Sequence, residues 1–308
     1  MVGDGVGQLG RHGPDLAPDA AEVVQQPRPL LGQLRQELGE LEDVYGSIIV
    51  NTLPPYSAAR TDVLRLPGGA TERDELAVEE PLEIRINGEA VAVTMRTPGH
   101  DEELALGFLL SEGVRARDAS LPDDLAANAV DVTVEGFDPE SLRRNFYTTS
   151  SCGVCGKGAL EAVAVEAPRV ESELRVSSAV VSELPDRLRG AQPTFAATGG
   201  LHATGLFSAD GDLLCVREDV GRHNAFDKVV GRAFLDGLLP LGDKVVCVSG
   251  RLSFELVQKA AVAGVPVVVA VGAPSTLAVE LARDRGITLC GFVRDGRMNV
   301  YTEPGRIA

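Results

Sequence analysis

The sequence predicts an α/β protein, α+β overall, in which a small β-rich N-terminal domain precedes a domain built on a parallel sheet. Alternating apolar runs flank the dipeptides Asn87-Gly88 and Asp210-Gly211, which are typical of β-hairpin turns. In the last third of the chain, short apolar runs alternate with segments of helical periodicity, as in strands joined by helical crossovers. With 308 residues and 44% hydrophobic composition, the chain is long enough for two domains.

We predict three segments along the chain. Residues 1–70 form an extension that is disordered or lies before the true translation start, because Gly, Pro, Asp and Gln dominate the first thirty residues. A single amphipathic stretch follows, with leucines at helical spacing, namely Leu31, Leu34, Leu38 and Leu41. Residues 71–158 form the β-rich domain, which ends in a cysteine-containing loop. Residues 159–308 form the α/β domain, which binds the ligand.

The β-rich domain is predicted to open with a hairpin. Residues 82–86 and 90–95 alternate apolar and polar side chains around Asn87-Gly88, so they are predicted to pair through a type I′ turn. Asp101 is predicted to cap a following helix, and Gly113 to end it. The remaining predicted elements of this domain are that helix and one further strand, at residues 102–111 and 129–135.

The α/β domain is predicted to open with a second hairpin around Asp210-Gly211. Strand, helix, strand, helix and strand then follow at residues 244–248, 254–263, 265–271, 276–285 and 287–293. Short apolar strands with helical crossovers form parallel sheets that are covered on both faces. In such sheets the ligand crevice lies beyond the carboxyl ends of the strands, where loops carry the binding groups.

Composition excludes several classes of protein. The formal charge of −16, from 45 acidic and 29 basic residues, opposes non-specific binding to nucleic acid or to anionic membrane surfaces. No apolar stretch approaches the roughly 20 residues that span a bilayer, and no secretory signal is readable at the N-terminus. Three of the five cysteines, Cys215, Cys247 and Cys290, lie in strand-like apolar runs. We therefore predict a cytoplasmic protein without a disulfide scaffold.

The most reactive segment of the sequence is the loop Ser-Ser-Cys-Gly-Val-Cys-Gly-Lys at 150–157. Two thiols at this spacing allow a dithiol/disulfide pair, half of a zinc site or a persulfide carrier, and the spacing alone does not choose among them. Lys157 would lower the pKa of the Cys152 and Cys155 thiols and so raise the reactive thiolate fraction. A stable structural zinc site needs four ligands, and no second pair at this spacing exists.

Two zinc-dependent alternatives stay open at this stage. His100 and Glu102, followed by Cys152 and Cys155, imitate the signature of zinc nucleobase deaminases, although Ser151 stands where that signature has proline. The other alternative is a non-catalytic zinc-binding module. The simpler interpretation is that His100 lies beside a helix cap and has no catalytic role, because an isolated three-residue match to the deaminase signature is weak evidence.

Basic and polar side chains cluster at the predicted strand ends. They occur at 249–251 with Ser253, at 272–275 and at 294–297. Helix N-termini and arginines at these positions would suit an anionic nucleotide or a pyrophosphate. A further polar run at 217–228 precedes an apolar helix. Each of these segments also has an interpretation without a binding role. Residues 294–297 could form a surface β-turn, and residues 217–228 a solvated loop. His202, which follows Gly199-Gly200, is more simply interpreted as a structural residue than as a catalytic one.

Five motifs occur in order along the chain. They are Ser-Cys-Gly-Val-Cys-Gly-Lys at 151–157, Thr-Gly-Gly-Leu-His at 198–202, Arg-Glu-Asp-Val-Gly-Arg-His-Asn-Ala-Phe-Asp-Lys at 217–228, Ser-Gly-Arg-Leu-Ser-Phe-Glu at 249–255, and Gly-Phe-Val-Arg-Asp-Gly-Arg-Met-Asn-Val-Tyr at 291–301. Together they resemble the formate dehydrogenase accessory sulfurtransferase family, the FdhD/NarQ sulfur carriers. The resemblance covers about residues 75–307.

The resemblance implies a sulfurtransferase of molybdenum cofactor biosynthesis. Such a carrier accepts sulfur from a cysteine desulfurase as a cysteine persulfide. It passes the sulfur to molybdenum bis(molybdopterin guanine dinucleotide), its bound substrate, which formate dehydrogenase apoenzyme then receives. The resemblance also implies a homodimer and a cytidine-deaminase-like three-layer α/β/α larger domain without the deaminase zinc site, so no side chain is expected to bind a metal directly.

The resemblance also assigns roles to residues. Cys152 and Cys155 become the catalytic residues of the persulfide loop, and we favour Cys152 as the first carrier and Cys155 as the partner that resolves or relays. The segment that matches the family's cofactor-binding motif is Phe292, Val293, Arg294, Asp295, Gly296 and Arg297. Weaker candidates for the same pocket are Arg222, His223, Asn224, Ser249, Gly250 and Arg251.

Overall fold

The computed structural model describes residues 57–114, 116–122, 128–137 and 167–308. The cysteine-containing loop at 150–157 therefore lies outside the described residues, as does most of the predicted extension. The first described element is a hairpin of two exposed antiparallel strands, β1 (Ala58–Arg65) and β2 (Ala70–Ala77). The predicted boundary at residue 70 falls at the start of β2, and the boundary at 158 lies outside the described residues, so the division into domains stays a prediction.

A four-stranded sheet follows, with its strands in the order β4-β3-β6-β5. The strands are β3 (Glu80–Ile86), β4 (Glu89–Arg96), β5 (Asp118–Ser120) and β6 (Ala129–Thr133). The predicted hairpin is confirmed: Asn87 and Gly88 join β3 to β4 with φ angles of 49° and 86°, which is the backbone of a type I′ turn. The predicted strand at 129–135 is β6, which pairs in parallel with β3.

Helix α1 (Asp101–Ser111) packs its apolar side chains on this sheet. The prediction that Asp101 caps the helix is wrong. His100 is the N-cap and has no side-chain capping bond, while Asp101 is the first helical residue. Its carboxylate instead accepts two hydrogen bonds of 2.9 Å from the guanidinium of Arg96, a buried side chain at the end of β4. Gly113, with a φ of 82°, follows the helix end as predicted.

The second sheet has six strands in the order β12-β11-β10-β9-β7-β8. Its members are β7 (His202–Phe207), β8 (Leu213–Asp219), β9 (Val245–Val248), β10 (Val267–Ala270), β11 (Thr288–Arg294) and β12 (Arg297–Thr302). The three central strands β9, β10 and β11 run parallel, as predicted. Strand β7 pairs antiparallel with β9, and the hairpin turns at Asp210-Gly211 and Asp295-Gly296 pair β8 with β7 and β12 with β11 in antiparallel fashion. The whole sheet is therefore mixed.

Helices cover both faces of the six-stranded sheet. Helices α4 (Arg222–Leu235), α5 (Phe254–Val262) and α6 (Thr276–Arg285) pack on one face. Helix α2 (Ser178–Gly190) packs on the other face through Val181, Leu184 and Leu188. A short helix α3 (Pro193–Thr198) and a 3-10 helix (Pro304–Arg306) complete the described elements. This arrangement confirms the predicted α/β class and its three layers.

Candidate functional site

A cleft lies where the carboxyl ends of the parallel strands meet, as the fold class predicts. Three strand-end segments are held side by side there by backbone hydrogen bonds. The N–H of Gly272 donates to Gly250 O at 3.0 Å, and the N–H of Phe292 donates to Gly272 O at 3.1 Å. Ser249 follows β9, and its N–H donates to the backbone oxygen of Ala203 on β7 at 2.9 Å. The loops after β9, β10 and β11 therefore share one rim.

The cleft has a volume of about 470 Å³. Its apolar lining comes from α2 and from the ends of the strands, namely Pro185, Leu188, Leu201, Val271 and Val293. Its polar lining consists of Asp186, Arg189, Gln192, His202, Ser249 and Arg294, with the ring of Phe195 beside them. An apolar floor with a few convergent polar groups is the usual form of a small-molecule site.

The segment at 292–297 contributes to the cleft through only part of its length. Val293 and Arg294 line the cleft. Phe292 is 42% exposed and has a φ of 54°, where the β11–β12 pairing is irregular. Asp295 and Gly296 form the turn of the hairpin, with φ angles of 52° and 72°. The predicted β-turn at 294–297 is therefore confirmed, while the binding role of this segment stays a prediction.

His202 lies in the cleft, although the sequence pointed to a structural role. It begins β7, which runs antiparallel to β9, so it stands next to the carboxyl end of β9. Gly250 packs against its ring: a Cβ there would lie 3.5 Å from His202 Nδ1. Burial, followed by the positive charges of Arg222 and His223, lowers the pKa of His202. The imidazole is therefore neutral at pH 7 and offers one donor and one acceptor.

Residues 222–224 form the first turn of α4. Nε2 of His223 lies 2.9 Å from Glu255 Oε2 and 3.2 Å from Ser253 Oγ, and the contact with His223 lowers the pKa of Glu255. Asn224 turns the other way, and its amide donates to the backbone oxygen of Met95 at 2.8 Å. His223 thus contacts the segment that follows β9, whereas Asn224 is hydrogen-bonded to the backbone of β4.

Four charged residues of the run at 217–228 are buried, namely Arg217, Asp219, Asp227 and Lys228, so they do not belong to a solvated loop. The role of Arg222, His223 and Asn224 in binding stays a prediction. Arg217 lies within 2.5–2.8 Å of both carboxylate oxygens of Glu103 on α1. Nζ of Lys228 lies 2.7 Å from Asp219 Oδ2 and donates to the backbone oxygen of Thr97 at 2.9 Å. All four of these residues, Arg217, Glu103, Lys228 and Asp219, are buried. The run therefore ties α1 and the end of β4 to the six-stranded sheet.

Helices α1 and α4 cross at two glycines. A Cβ at Gly107 would lie 1.9 Å from the carbonyl oxygen of Asp227, and a Cβ at Gly231 would lie 1.8 Å from that of Glu103. The side chain of Asp227 is buried beside this crossing, where it meets Lys259 Nζ at 2.8 Å and Ser111 Oγ at 3.0 Å. Only glycine permits backbones to approach this closely, so the crossing brings the buried ion pairs within hydrogen-bond distance.

The three cysteines within the described residues are poor nucleophiles. Burial raises the pKa of Cys215 to about 11 and that of Cys290 to about 12, and it raises the pKa of Cys247 further. At pH 7 the thiolate fraction of Cys215 is then about one in 10⁴. Cys152 and Cys155 lie outside the described residues.

His100 lies at the junction of β4 and α1, with Nδ1 3.6 Å from Glu103 Oε2. Burial lowers its pKa to about 3, and the nearby charges of Arg217, Lys228 and Arg232 act in the same direction. Across residues 57–114, 116–122, 128–137 and 167–308, no three acidic, His or Cys side chains converge as metal ligands. The same ranges contain no helix that is long and apolar enough to cross a bilayer.

Comparisons with known proteins show the family and agree with this fold. The model of the FdhD/NarQ family matches residues 77–308. The sulfur carrier protein FdhD of Streptomyces coelicolor is 52% identical over 268 residues, which cover 81% of this chain and 95% of that protein. The protein of the same name from Mycobacterium tuberculosis is 51% identical over 257 residues, which cover 77% and 93%.

A solved structure is also similar. The crystal structure of a protein described as a putative formate dehydrogenase accessory protein, from Desulfotalea psychrophila, superposes with a TM-score of 0.64 at 27% identity. The match covers 82% of this chain and 98% of that one. The protein is thus an α/β protein with its cleft at the strand ends, and it belongs to the FdhD/NarQ family.

Proposed function

We propose that this protein is a sulfur carrier that loads a cysteine persulfide from a cysteine desulfurase. It transfers the sulfur to molybdenum bis(molybdopterin guanine dinucleotide), which it holds as a substrate before formate dehydrogenase apoenzyme receives it. The observation that carries the proposal is the burial of three of the five cysteines. Because Cys215, Cys247 and Cys290 are buried and protonated, sulfur exchange falls to Cys152 and Cys155.

The loading step is a thiol exchange that balances without an oxidant or a reductant. The Cys152 thiolate attacks the terminal sulfur of the desulfurase persulfide. A new S–S bond forms on Cys152, the old S–S bond breaks, and the desulfurase thiolate leaves. Cys155 can relay the same sulfur by repeating this exchange. Lys157, two residues beyond Cys155, favours the thiolate forms that both steps require.

The cleft supports the second half of the proposal. Its rim carries Arg294, its wall carries Arg189, and Ser249 presents a hydroxyl at the end of β9. The two arginines supply the local positive charge that a nucleotide phosphate needs in a chain with a net charge of −16, and the hydroxyl is a neutral hydrogen-bonding group. We include in the proposal a homodimer, which the resemblance to the family implies, and a location in the cytoplasm, which the cysteine pattern favours.

Persulfide loading can be tested by intact mass. The purified full-length protein is incubated with a cysteine desulfurase and cysteine, and the spectrum is searched for an adduct of one sulfur atom. Cys152→Ser is expected to abolish the adduct and Cys155→Ser to reduce it. Cys215→Ala, which removes a buried thiol, is the matched control and is expected to load normally. A wild-type protein that gains no sulfur, or loading that survives both loop substitutions, would overturn the proposal.

A further inference from the structure

The turn between β3 and β4 contains the only Asn-Gly dipeptide of the sequence, Asn87-Gly88. Its two residues make contacts that a hairpin turn does not itself require. Nδ2 of Asn87 donates to the backbone oxygen of Val134 at 2.9 Å, and the N–H of Val134 donates to Asn87 Oδ1 at 3.1 Å. The N–H of Gly88 donates to the carboxylate of Asp131 on β6 at 3.0 Å. Strand β6 and the residue that follows it therefore hold both residues of the turn.

Asn-Gly is the dipeptide in which asparagine deamidates most readily, because glycine has no side chain to hinder attack by its own nitrogen. The Gly88 nitrogen, after losing its proton, attacks Asn87 Cγ and forms a C–N bond. The bond from Cγ to Nδ2 breaks, and ammonia leaves with that proton. Water then opens the succinimide ring at either carbonyl, which yields aspartate or isoaspartate. The reaction requires water and no oxidant or reductant.

The folded protein opposes both requirements of this attack. The Gly88 N–H must lose its proton, yet it donates to a carboxylate, whose negative charge disfavours a second negative charge on the nitrogen. The face of the Asn87 amide must turn towards that nitrogen, yet the two bonds to Val134 hold the plane of the amide. Both residues of the turn are exposed to water, so burial does not protect them.

The residue type at this turn supports the importance of the amide. The hairpin turns at Asp210-Gly211 and Asp295-Gly296 carry aspartate instead, and Asp-Gly suits a type I′ turn as Asn-Gly does. Only an amide, however, can both donate to the Val134 oxygen and accept from the Val134 N–H. Asn87 thus makes a contact that deamidation would destroy, since a carboxylate oxygen would then face the Val134 oxygen without a proton between them.

We propose that Asn87-Gly88 is a latent deamidation site, which Asp131 and Val134 keep intact while the sheet is folded. Deamidation would untie the turn from β6, and the isoaspartate product would add a methylene group to the backbone of the hairpin. Strand β4 leads into Thr97, whose backbone oxygen binds the buried Nζ of Lys228, so the modified hairpin is the one that connects to the buried ion pairs. The site is independent of the sulfur chemistry and limits the lifetime of the folded chain.

The test ages the full-length protein in mildly alkaline buffer below its unfolding temperature. Trypsin then releases residues 86–96, and mass spectrometry follows the replacement of the amide NH₂ by OH in that peptide. Wild type in urea gives the rate of the unprotected dipeptide. Folded wild type is expected to react at least about tenfold more slowly, and Asp131→Ala to accelerate the folded protein at least about tenfold, as for loss of one hydrogen bond to a charged group.

Asp118→Ala is the matched control. Asp118 lies on β5, the strand beside β6, and its carboxylate accepts from the N–H of Ala119. The substitution removes the same charge and is expected to leave the wild-type rate unchanged. Each variant is first compared with wild type in thermal unfolding. If Asp131→Ala does not fold, Asp131→Asn takes its place, because it keeps the size of the side chain, loses the charge and is expected to accelerate the reaction severalfold.

Three outcomes would overturn the proposal. The first is folded wild type that deamidates as fast as wild type in urea, since the fold would then give no protection. The second is a folded Asp131 variant that reacts at the wild-type rate. The third is an Asp118→Ala protein that accelerates as much as the Asp131 variant does, because general loosening of the sheet would then explain both rates.

Discussion

Replacing Gly231 with alanine tests the crossing of α1 and α4 that assembles the buried ion pairs. In most helices a Gly→Ala change stabilises, by about 1 kcal/mol, because alanine has the higher helix propensity. Here the new Cβ would lie 1.8 Å from the carbonyl oxygen of Glu103. An ordinary contact needs about 3.4 Å or more, so the two helices must separate by roughly 1.5 Å.

The consequence of that separation is electrostatic as well as steric. The Arg217–Glu103 bonds of 2.5–2.8 Å cannot stretch by such an amount and remain hydrogen bonds. Forced overpacking alone costs about 1–3 kcal/mol, and leaving a buried ion pair broken costs about 3–5 kcal/mol. Partial relaxation lies between these limits, so we expect Gly231→Ala to lose about 3 kcal/mol of unfolding free energy despite its better helix propensity.

Urea unfolding, followed by circular dichroism, measures this loss. Gly190→Ala is the matched control: Gly190 is the last residue of α2, and a Cβ there would meet no atom of the described residues within 4 Å, so the change is expected to be neutral or slightly stabilising. Gly107→Ala should resemble Gly231→Ala, because its Cβ would lie 1.9 Å from the Asp227 carbonyl oxygen. The double variant should lose less than the sum, since one separation relieves both contacts. A Gly231→Ala protein as stable as wild type would refute the reasoning.

Three further predictions concern charge and reactivity. In the folded protein the pKa of His100 is lowered from 6.5 to about 3, so between these pH values only the unfolded chain binds a proton at this imidazole. The free energy of unfolding should therefore fall as the pH falls from about 6.5 towards 3, by at most about 1.4 kcal/mol per pH unit. His100→Asn, which tolerates the same backbone, should flatten that slope in urea unfolding, and an equal slope would contradict the assignment. Arg294→Ala should weaken GDP binding about tenfold in calorimetry, because it removes a positive charge from the cleft. Arg73→Ala, which removes the same charge from exposed β2, should bind GDP as wild type does. If both variants bind GDP with the same affinity, Arg294 does not belong to the site. In the native protein iodoacetamide should modify Cys152 and Cys155 and leave Cys215, Cys247 and Cys290 unmodified until urea is added. Peptide mass mapping identifies the modified cysteines. Modification of the three strand cysteines before the other two would contradict their burial.

The sequence predicted the elements whose local signals agree with their environment. Asn87-Gly88 and Asp210-Gly211 each identified a hairpin, because the turn backbone demands those residue types. The strands β9, β10 and β11 were predicted to within a few residues, since fully buried parallel strands are continuous apolar runs. The position of the cleft followed from the topology, because the carboxyl ends of parallel strands meet at one edge.

The sequence could not show where charged side chains find their partners. Arg217 and Glu103 are separated by 114 positions, so their pairing depends on the packing of α1 against the sheet. The polar run at 217–228 has the composition of a surface loop, and only tertiary contacts reveal that Arg217, Asp219, Asp227 and Lys228 within it are buried. Helix α2 was missed for a local reason, since Pro185 lies within it. Its cleft residues Asp186, Arg189 and Gln192 were therefore missed too, and a 3.6-residue pattern at Val181, Leu184 and Leu188 was the available signal.

The buried charges of Arg217 and Lys228 also limit where the chain can be cut to make fragments or chimeras. A fragment that begins after residue 166 would retain Arg217 without its carboxylate partner Glu103, and Lys228 with Asp219 but without the Thr97 carbonyl. The face of the sheet that α1 covers would then be open to solvent. During synthesis, Glu103 leaves the ribosome long before Arg217 does, and α1 must remain available until the sheet is complete. Exchanges of segments between relatives would therefore preserve these ion pairs best when both partners of each pair come from the same parent.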